Sequence, residues 1–229
     1  MSKADLFEAF ARTGKALASG KRLELLELLA QGERPVQQLA AVSGLNLTTA
    51  SAHLQLLRDA GLVTSRRDGT RVLYRLAGDD VADLVTTLLR VAERHRPETA
   101  AAASAHLPAD VRTIRRDELV DRAQRGEVLI LDVRPAEEYA AGHLPGAVSI
   151  PADELAGRLA EIPADVEVAA YCRGRFCVLS YDAVHLLTQH GYTAHLLADG
   201  VIEFLADDVA LATATLTPSA TASPTARTS

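Results

Sequence analysis

Two cysteines occur in 229 residues, and both stand in the run Cys172-Arg173-Gly174-Arg175-Phe176-Cys177. A short apolar stretch, Val166 to Ala170, leads into this run, and a helical pattern from Val178 to His190 leads out of it. A thiol between a strand end and a helix start meets loop amide N–H groups and the positive end of a helix, and Arg173 and Arg175 add charge. All three favour thiolate over thiol. The same donors suit an anion or a persulfide on Cys172, so the loop reads as the site of a nucleophile that accepts and passes on a sulfane sulfur atom. Cys177, five positions on, could resolve a persulfide or sulfenic acid on Cys172 into an internal disulfide, which would make the loop a redox switch; equally, it could be a small loop-packing residue. The competing reading of Cys172 is an inert buried cysteine. Two cysteines are too few for a disulfide-built scaffold and two short of an all-cysteine zinc site.

The surrounding elements would place this loop. Val128 to Leu131 is a second apolar run, ending at Asp132, and Ala194 to Leu197 a third, ending before Asp199. Helical stretches at Asp117 to Gln124, Asp153 to Leu159 and Val178 to His190 alternate with them, which calls for an α/β fold with a parallel sheet covered on both faces. Chemistry in such sheets gathers at the carboxyl ends of the strands, where Asp132 and Cys172 fall.

Three motifs in order, LDVRPAEEYAAGHLPGAVSIP (131–151), YCRGRFC (171–177) and HLLADGVIEF (195–204), resemble a rhodanese domain over about residues 112–207, which places the domain at 112–211. The resemblance implies that Cys172 forms the persulfide, that Arg173, Gly174, Arg175, Phe176 and Cys177 cradle the sulfur, and that Asp132, Arg134 and His143 frame the site. The last three are expected to hold strand ends and turns through ion pairs and hydrogen bonds. Related phosphatases carry an arginine six positions after the cysteine. Val178 stands there, against phosphatase chemistry. Phe204 replaces a tryptophan frequent in the family, a change expected to affect packing rather than reactivity.

The front of the chain has a different character. Residues 1–96 carry 14 Lys and Arg against 11 Asp and Glu, whereas the remainder carries 10 against 19, so a net charge of −6 conceals a mildly basic front half. Leu6, Phe7, Phe10 and Leu17 fall at helical spacing, and Leu23, Leu25, Leu26, Leu28 and Leu29 build a second helix ending at Gly32; both are expected in the core. A third helix runs from Pro35 through Val42 to Ser43-Gly44. On a fourth, Leu47, Ala50, Leu54 and Leu57 form an apolar stripe, leaving Thr48, Thr49, Ser51, Ala52, His53 and Gln55 on other faces. These are short polar groups of the kind that reach base edges and phosphates. Asp68-Gly69 signals a hairpin whose Arg66, Arg67, Arg71 and Arg75 offer positive charge to phosphates beside that helix. A last helix, with Val81, Leu84, Val85, Leu88, Leu89 and Val91, has a broad apolar face suited to a dimer interface.

The segments RLELLELL, TTASAHLQLLRDAGLV and RRDGTRVLYRL resemble the ArsR-type winged helix-turn-helix regulators over residues 5–96. The resemblance implies an α+β domain that dimerises, binds a partly palindromic double-stranded operator with one helix per half-site, and releases it on a chemical signal. Many relatives bind metal through cysteines on the third helix, and Val36 to Leu45 has none. Asp80, Asp83, Glu93 and His95 only loosely match a second metal site, so no metal and no cofactor is expected.

Pro97 to Asp110, with the run Ala100 to Ala103, reads as an interdomain linker (97–111), although an alanine run can also extend a helix. Residues 212–229, rich in Thr, Ala, Ser and Pro, are expected to be disordered. No apolar run approaches a membrane span, and Asp5, Glu8, Arg12 and Lys15 interrupt any signal peptide, so the expected location is the cytoplasm. The expected function is a DNA-binding regulator, a repressor, in which Cys172 carries or senses sulfane sulfur from a donor or toward an acceptor. The alternatives are a rhodanese-type sulfurtransferase tethered to a DNA-binding domain, and a rhodanese domain serving as an inert docking module.

Overall fold

The computed structural model describes residues 1–107 and 111–215. In the front half α1 (Lys3–Leu17) and α2 (Gly20–Ala30) lead to a short strand, β1 (Arg34–Pro35). The pair α3 (Val36–Val42) and α4 (Leu47–Asp59) forms a helix-turn-helix, β2 (Val63–Asp68) and β3 (Arg71–Leu76) form a hairpin wing, and α5 (Asp79–His95) closes the unit. Local chemistry sets these boundaries. At the start of α1, Ser2 Oγ accepts from Asp5 N while the Asp5 carboxylate accepts from Ser2 N; at the start of α4, Asn46 Oδ1 accepts from Thr49 N at 2.8 Å. The hairpin sets Asp68 opposite Arg71 and turns through Gly69, whose φ of +57° favours glycine. β1 pairs with the other edge of β3, Arg34 opposite Tyr74, so the order is β1-β3-β2.

The core of this half is Leu25, Leu26, Leu39, Ala50, Leu54 and Leu57, each fully buried. Two expectations need correction. On α1 only Ala16 and Leu17 are buried; Leu6, Phe7 and Phe10 are 42%, 60% and 65% exposed. The first three turns of α1 project beyond the packed body, so helical spacing there marks an apolar face with nothing of the same chain against it. Leu47 likewise is 48% exposed, because it opens α4 ahead of the turn that packs on α2, and the buried stripe is Ala50, Leu54 and Leu57.

The small-residue stretch after α5 is a helix, α6 (Pro97–His106), with none of its residues buried. Proline at its first position and an alanine-rich sequence explain why it forms without packing. Residues 108–110 of the expected linker lie outside the described residues.

The second half is α/β. Its elements are β4 (Thr113–Ile114), α7 (Arg116–Gln124), β5 (Val128–Asp132), α8 (Ala136–Ala141), β6 (Val148–Ser149), α9 (Leu155–Arg158), β7 (Glu167–Tyr171), α10 (Val178–Gln189), β8 (Ala194–Leu197) and α11 (Val201–Ala206). The expected helix from Asp153 to Leu159 is shorter, α9 followed by a 3-10 turn over Leu159–Glu161. All strand pairs in the five-stranded sheet are parallel, in the order β4-β8-β7-β5-β6. Alternate residues of β7 serve opposite faces: Val168 and Ala170 pack with Leu131, Ile150 and Cys172, whereas Ala169 and Tyr171 pack with Ile130, Leu197 and Phe204. Residues 212–215, expected to belong to a disordered tail, are tied to the domain instead: His143 and Ala212 exchange backbone hydrogen bonds and Ala214 N donates to Ala140 O. Residues 216–229 lie outside the described residues.

The two halves are packed together. Ile202 of α11, 2% exposed, belongs to the core of the front half, with Leu205 and Ala206 against it. Gly32, at the turn after α2, comes so near α8 that a methyl group on it would stand 2.8 Å from Ala141 Cβ. Among the described residues no helix is long and apolar enough to cross a membrane.

Candidate functional site

Cys172 follows β7 at the carboxyl edge of the sheet and is 1% exposed; Cys177 caps the start of α10, and the two sulfurs are joined in a disulfide. Parallel pairing carries β7 and β5 to the same edge, so Asp132 and Arg134 arrive beside the loop. Backbone bonds from a third element hold it: Val201 N and Ile202 N, at the start of α11, donate to the carbonyls of Cys172 and Arg173 at 3.2 and 3.0 Å, and Cys177 N donates to Gly174 O. Gly174 and Gly200 meet backbone to backbone; a methyl group on Gly200 would fall 2.3 Å from Gly174 N.

Sequence reasoning assigned the loop arginines to the thiol. The structure spends both elsewhere. Arg173 forms a bidentate pair with Glu138 of α8, with donor distances of 2.7 to 3.1 Å, and Arg175 pairs with Glu93 of α5 at 3.0 Å while covering the Phe176 ring. The physical reason is burial: Glu138 is fully buried and needs cations. With both sulfurs in a disulfide, the loop in this state carries no ionisable thiol.

Glu138 receives a second cation from the front half, Arg34 of β1, at 2.9 Å with both side chains buried. A buried carboxylate therefore joins the cysteine loop to the sheet that carries the wing. Gln31, at the end of α2, adds two more links: its Nε2 donates to Arg173 O at 3.3 Å, and its Oε1 accepts from Arg134 Nη1 at 2.9 Å. His106 of α6 lies 3.2 Å from Phe176 O through Nε2. Elements α2, β1, α5 and α6 of the front half all reach the loop or its partner Glu138.

Asp132 and Arg134 form a fully buried pair at 2.6 Å; Tyr171 OH donates to Asp132, and Arg134 also donates to Gly142 O. Burial and the Asp132 charge hold the Tyr171 phenol far above its usual range, so it remains a donor. His143 is occupied by Tyr139, on whose ring it stacks and whose carbonyl lies 2.8 Å from Nδ1.

Glu27 of α2 approaches the loop from the front half. A methyl carbon on Gly174 would lie 2.7 Å from Glu27 Oε1. Burial first, and then the neighbouring Glu203 charge, push the Glu27 carboxyl from 4.5 up to about 7, with Glu24 and Glu138 adding to the rise and Arg173 opposing it. Because the folded value lies above the unfolded one, the stability conferred by neutral Glu27 is complete below about 4.5 and is lost as the pH rises through about 7. Glu27→Gln should therefore melt at higher temperature than the parent above pH 7, the difference closing toward pH 5 in a thermal unfolding series.

In the front half, Thr48 and Gln55 of α4 are exposed and Thr49, Ser51 and His53 half-buried; His53 Nδ1 is buried without a hydrogen-bond partner. Arg67 and Arg71 of the wing are exposed, whereas Arg66 is held by Glu33, with Nε 2.9 Å from both carboxylate oxygens. Of the residues once weighed as metal ligands, Glu93 is taken by Arg175. Sequence reasoning missed Glu27, Gln31, Arg34, Glu93, His106, Glu138 and Gly200. Glu27, Glu138 and Gly200 lay within motifs already singled out, but nothing local marked them; Glu138, for one, was indistinguishable from Glu137.

Comparison with known proteins places these parts. The family described as "Bacterial regulatory protein, arsR family" matches residues 19–65, and the rhodanese-like domain family matches residues 115–207. The chain is 51% identical over 202 residues to the HTH-type transcriptional regulator Rv0324 of Mycobacterium tuberculosis, covering 88% of this chain and 89% of that one. It is 42% identical over 77 residues to the biofilm growth-associated repressor of Agrobacterium fabrum, 34% of this chain and 66% of that one. Among solved structures it is similar to the homodimeric winged helix-turn-helix DNA-binding domain of Mb0332 from Mycobacterium bovis, 54% identical, covering 42% of this chain and 91% of that one with a TM-score of 0.39.

Proposed function

Because the chain belongs to the ArsR-type helix-turn-helix transcriptional regulators that carry a C-terminal rhodanese-like domain, we propose that it is a homodimeric repressor whose grip on operator DNA is set by the sulfur chemistry of Cys172. The observation that carries this reading is Glu138, which holds Arg173 of the cysteine loop and Arg34 of the wing sheet at once. In the DNA-binding half, α4 enters the major groove with Thr48, Thr49, Ser51, His53 and Gln55, and Arg67 and Arg71 of the wing meet phosphates. The exposed Phe7 and Phe10 of α1 and Leu84, Leu88 and Val91 of α5 supply the dimer face.

In the reduced state the Cys172 thiolate attacks the outer sulfur of a donor R–S–SH. A bond forms between Sγ and that sulfur, the donor S–S bond breaks, and R–S⁻ leaves with the electron pair. Attack of the Cys177 thiolate on Cys172 Sγ then closes the disulfide and expels HS⁻. Either product reshapes the loop that Arg173 anchors, and the buried ions transmit the change to β1 and so to β3 and the wing. Coupling of about 1.4 kcal/mol already changes operator affinity tenfold. Operator gel shifts are therefore expected to differ at least tenfold between reduced, persulfide-loaded and disulfide forms, and Cys172→Ser should respond to no sulfur donor. Equal affinities in every state would overturn the proposal.

A further inference from the structure

The cysteine loop is bordered by carboxylates that its own ion pairs do not consume. Glu203 of α11 accepts from Gly200 N at 2.8 Å and from Arg175 N, and its Oε2 would lie 3.5 Å from a methyl carbon on Gly174, next to Glu27 Oε1 at 2.7 Å. Neither Glu27 nor Glu203 has a cation within 4.0 Å among the described salt bridges. A cleft of about 360 Å³ opens between α5 and α11 beside the loop, lined by Arg90, Arg175, Asp199, Glu203 and Asp207. Arg175 there is occupied by Glu93, and Asp199 and Asp207 share Arg116. The excess positive charge of the Arg34–Glu138–Arg173 group is a single one, and it is buried behind the loop. Set against Gly174, two residues from Cys172, are two carboxylic acids, Glu27 and Glu203, and burial raises both above the usual carboxylate range.

We infer that this two-domain wall of Glu27 and Glu203 makes the cysteine site select its sulfur donor by charge, favouring uncharged donors such as dialkyl trisulfides and turning away anions, the thiosulfate dianion most strongly. This rests on the reading above that Cys172 accepts sulfur. The favoured step balances as Cys172–S⁻ plus R–S–S–S–R giving Cys172–S–S–S–R plus R–S⁻: Sγ bonds to the central sulfur, one donor S–S bond breaks, and the thiolate R–S⁻ takes the electron pair. Charged groups facing Glu27 are Glu24 on its own helix, Arg173 on the loop, Glu138 on α8 and Glu203 on α11. Protonation of Glu27 below pH 7 therefore weakens the selection.

The test uses the full chain, reduced and freed of reductant, with two alkylating reagents of similar size, neutral iodoacetamide and anionic iodoacetate. Arg173 and Arg175 place Cys172 and Cys177 on separate tryptic peptides, so mass spectrometry reads each rate. The iodoacetamide-to-iodoacetate rate ratio at Cys172 at pH 8 is expected to exceed that of an unstructured cysteine peptide at least tenfold. Glu27→Gln should cut it about threefold or more, Glu203→Gln likewise, and lowering the pH to 6 should narrow it more in the parent than in Glu27→Gln. A peptide-like ratio, a ratio indifferent to both substitutions, or a Cys172 inert to both reagents overturns the inference. Sulfur loading of Cys172 by uncharged dimethyl trisulfide against thiosulfate separates the two claims. Equal loading by both donors sinks the charge selection and leaves the sulfur reading standing. Loading by neither, with the alkylation ratio intact, leaves the selection standing and sinks the sulfur reading.

Discussion

Replacing Glu138 by alanine lowers the stability of the folded chain by about 3–5 kcal/mol, the usual cost of leaving buried charges without their partner. Two guanidiniums depend on this one carboxylate, Arg34 with its side chain 6% exposed and Arg173 with 16%. Arg34 Nε is already buried without a hydrogen-bond partner, so no reserve acceptor stands by. Urea unfolding followed by circular dichroism measures the loss. Because Glu138 ties the halves together, a transition that is single in the parent should separate into two. The triple variant Arg34→Met, Glu138→Leu, Arg173→Met should recover much of the loss, since a buried ion group replaced by apolar groups is frequently neutral. A Glu138→Ala variant as stable as the parent would show that the ion group is not a structural bridge.

A second large effect is expected at Gly200. Its φ of −122° suits any residue, so the constraint is space. A methyl group there would fall 2.3 Å from Gly174 N, 2.5 Å from Gly174 Cα and 2.6 Å from the Arg173 carbonyl carbon, all backbone atoms that cannot swing aside. In Gly200→Ala, α11 must retreat. The retreat breaks the bonds from Val201 N and Ile202 N to the cysteine loop and draws Ile202 from the front-half core. Overpacking of about 1–3 kcal/mol and two hydrogen bonds of about 1 kcal/mol each place the loss near 3–5 kcal/mol. Hydrogen exchange at Val201 and Ile202 should accelerate along with the fall in melting temperature. Gly157→Ala in α9, where a methyl group meets nothing within 4 Å, is the neutral control.

Much of the fold was legible because periodicity and punctuation agree in this chain. The helix ahead of Gly32, the hairpin at Asp68-Gly69 and the apolar runs into Asp132 and Cys172 each follow from local spacing and turn chemistry. Where spacing misled, the missing information was what lies opposite. Phe7 and Phe10 have core-like spacing but face no part of their own chain, and Leu47 opens a stripe whose burial begins a turn later. The loop arginines were misread for a related reason. Adjacency in sequence puts Arg173 and Arg175 near Cys172, but a guanidinium on a long flexible stem goes to a carboxylate that needs it, and Glu93, half-buried, and Glu138, fully buried, lie 82 and 35 residues away along the chain.

The amino-acid order alone determined the two kinds of unit, the helix-turn-helix with its wing, and a cysteine loop at a strand end, because each depends on interactions among near neighbours along the chain. Only the tertiary structure decided that the loop is shared between the halves. Glu27, Gln31 and Arg34 meet Arg134, Glu138 and Arg173 through contacts about a hundred or more residues apart, and ion pairing, burial and backbone contact at such separations are set by how the domains pack, which no local pattern encodes.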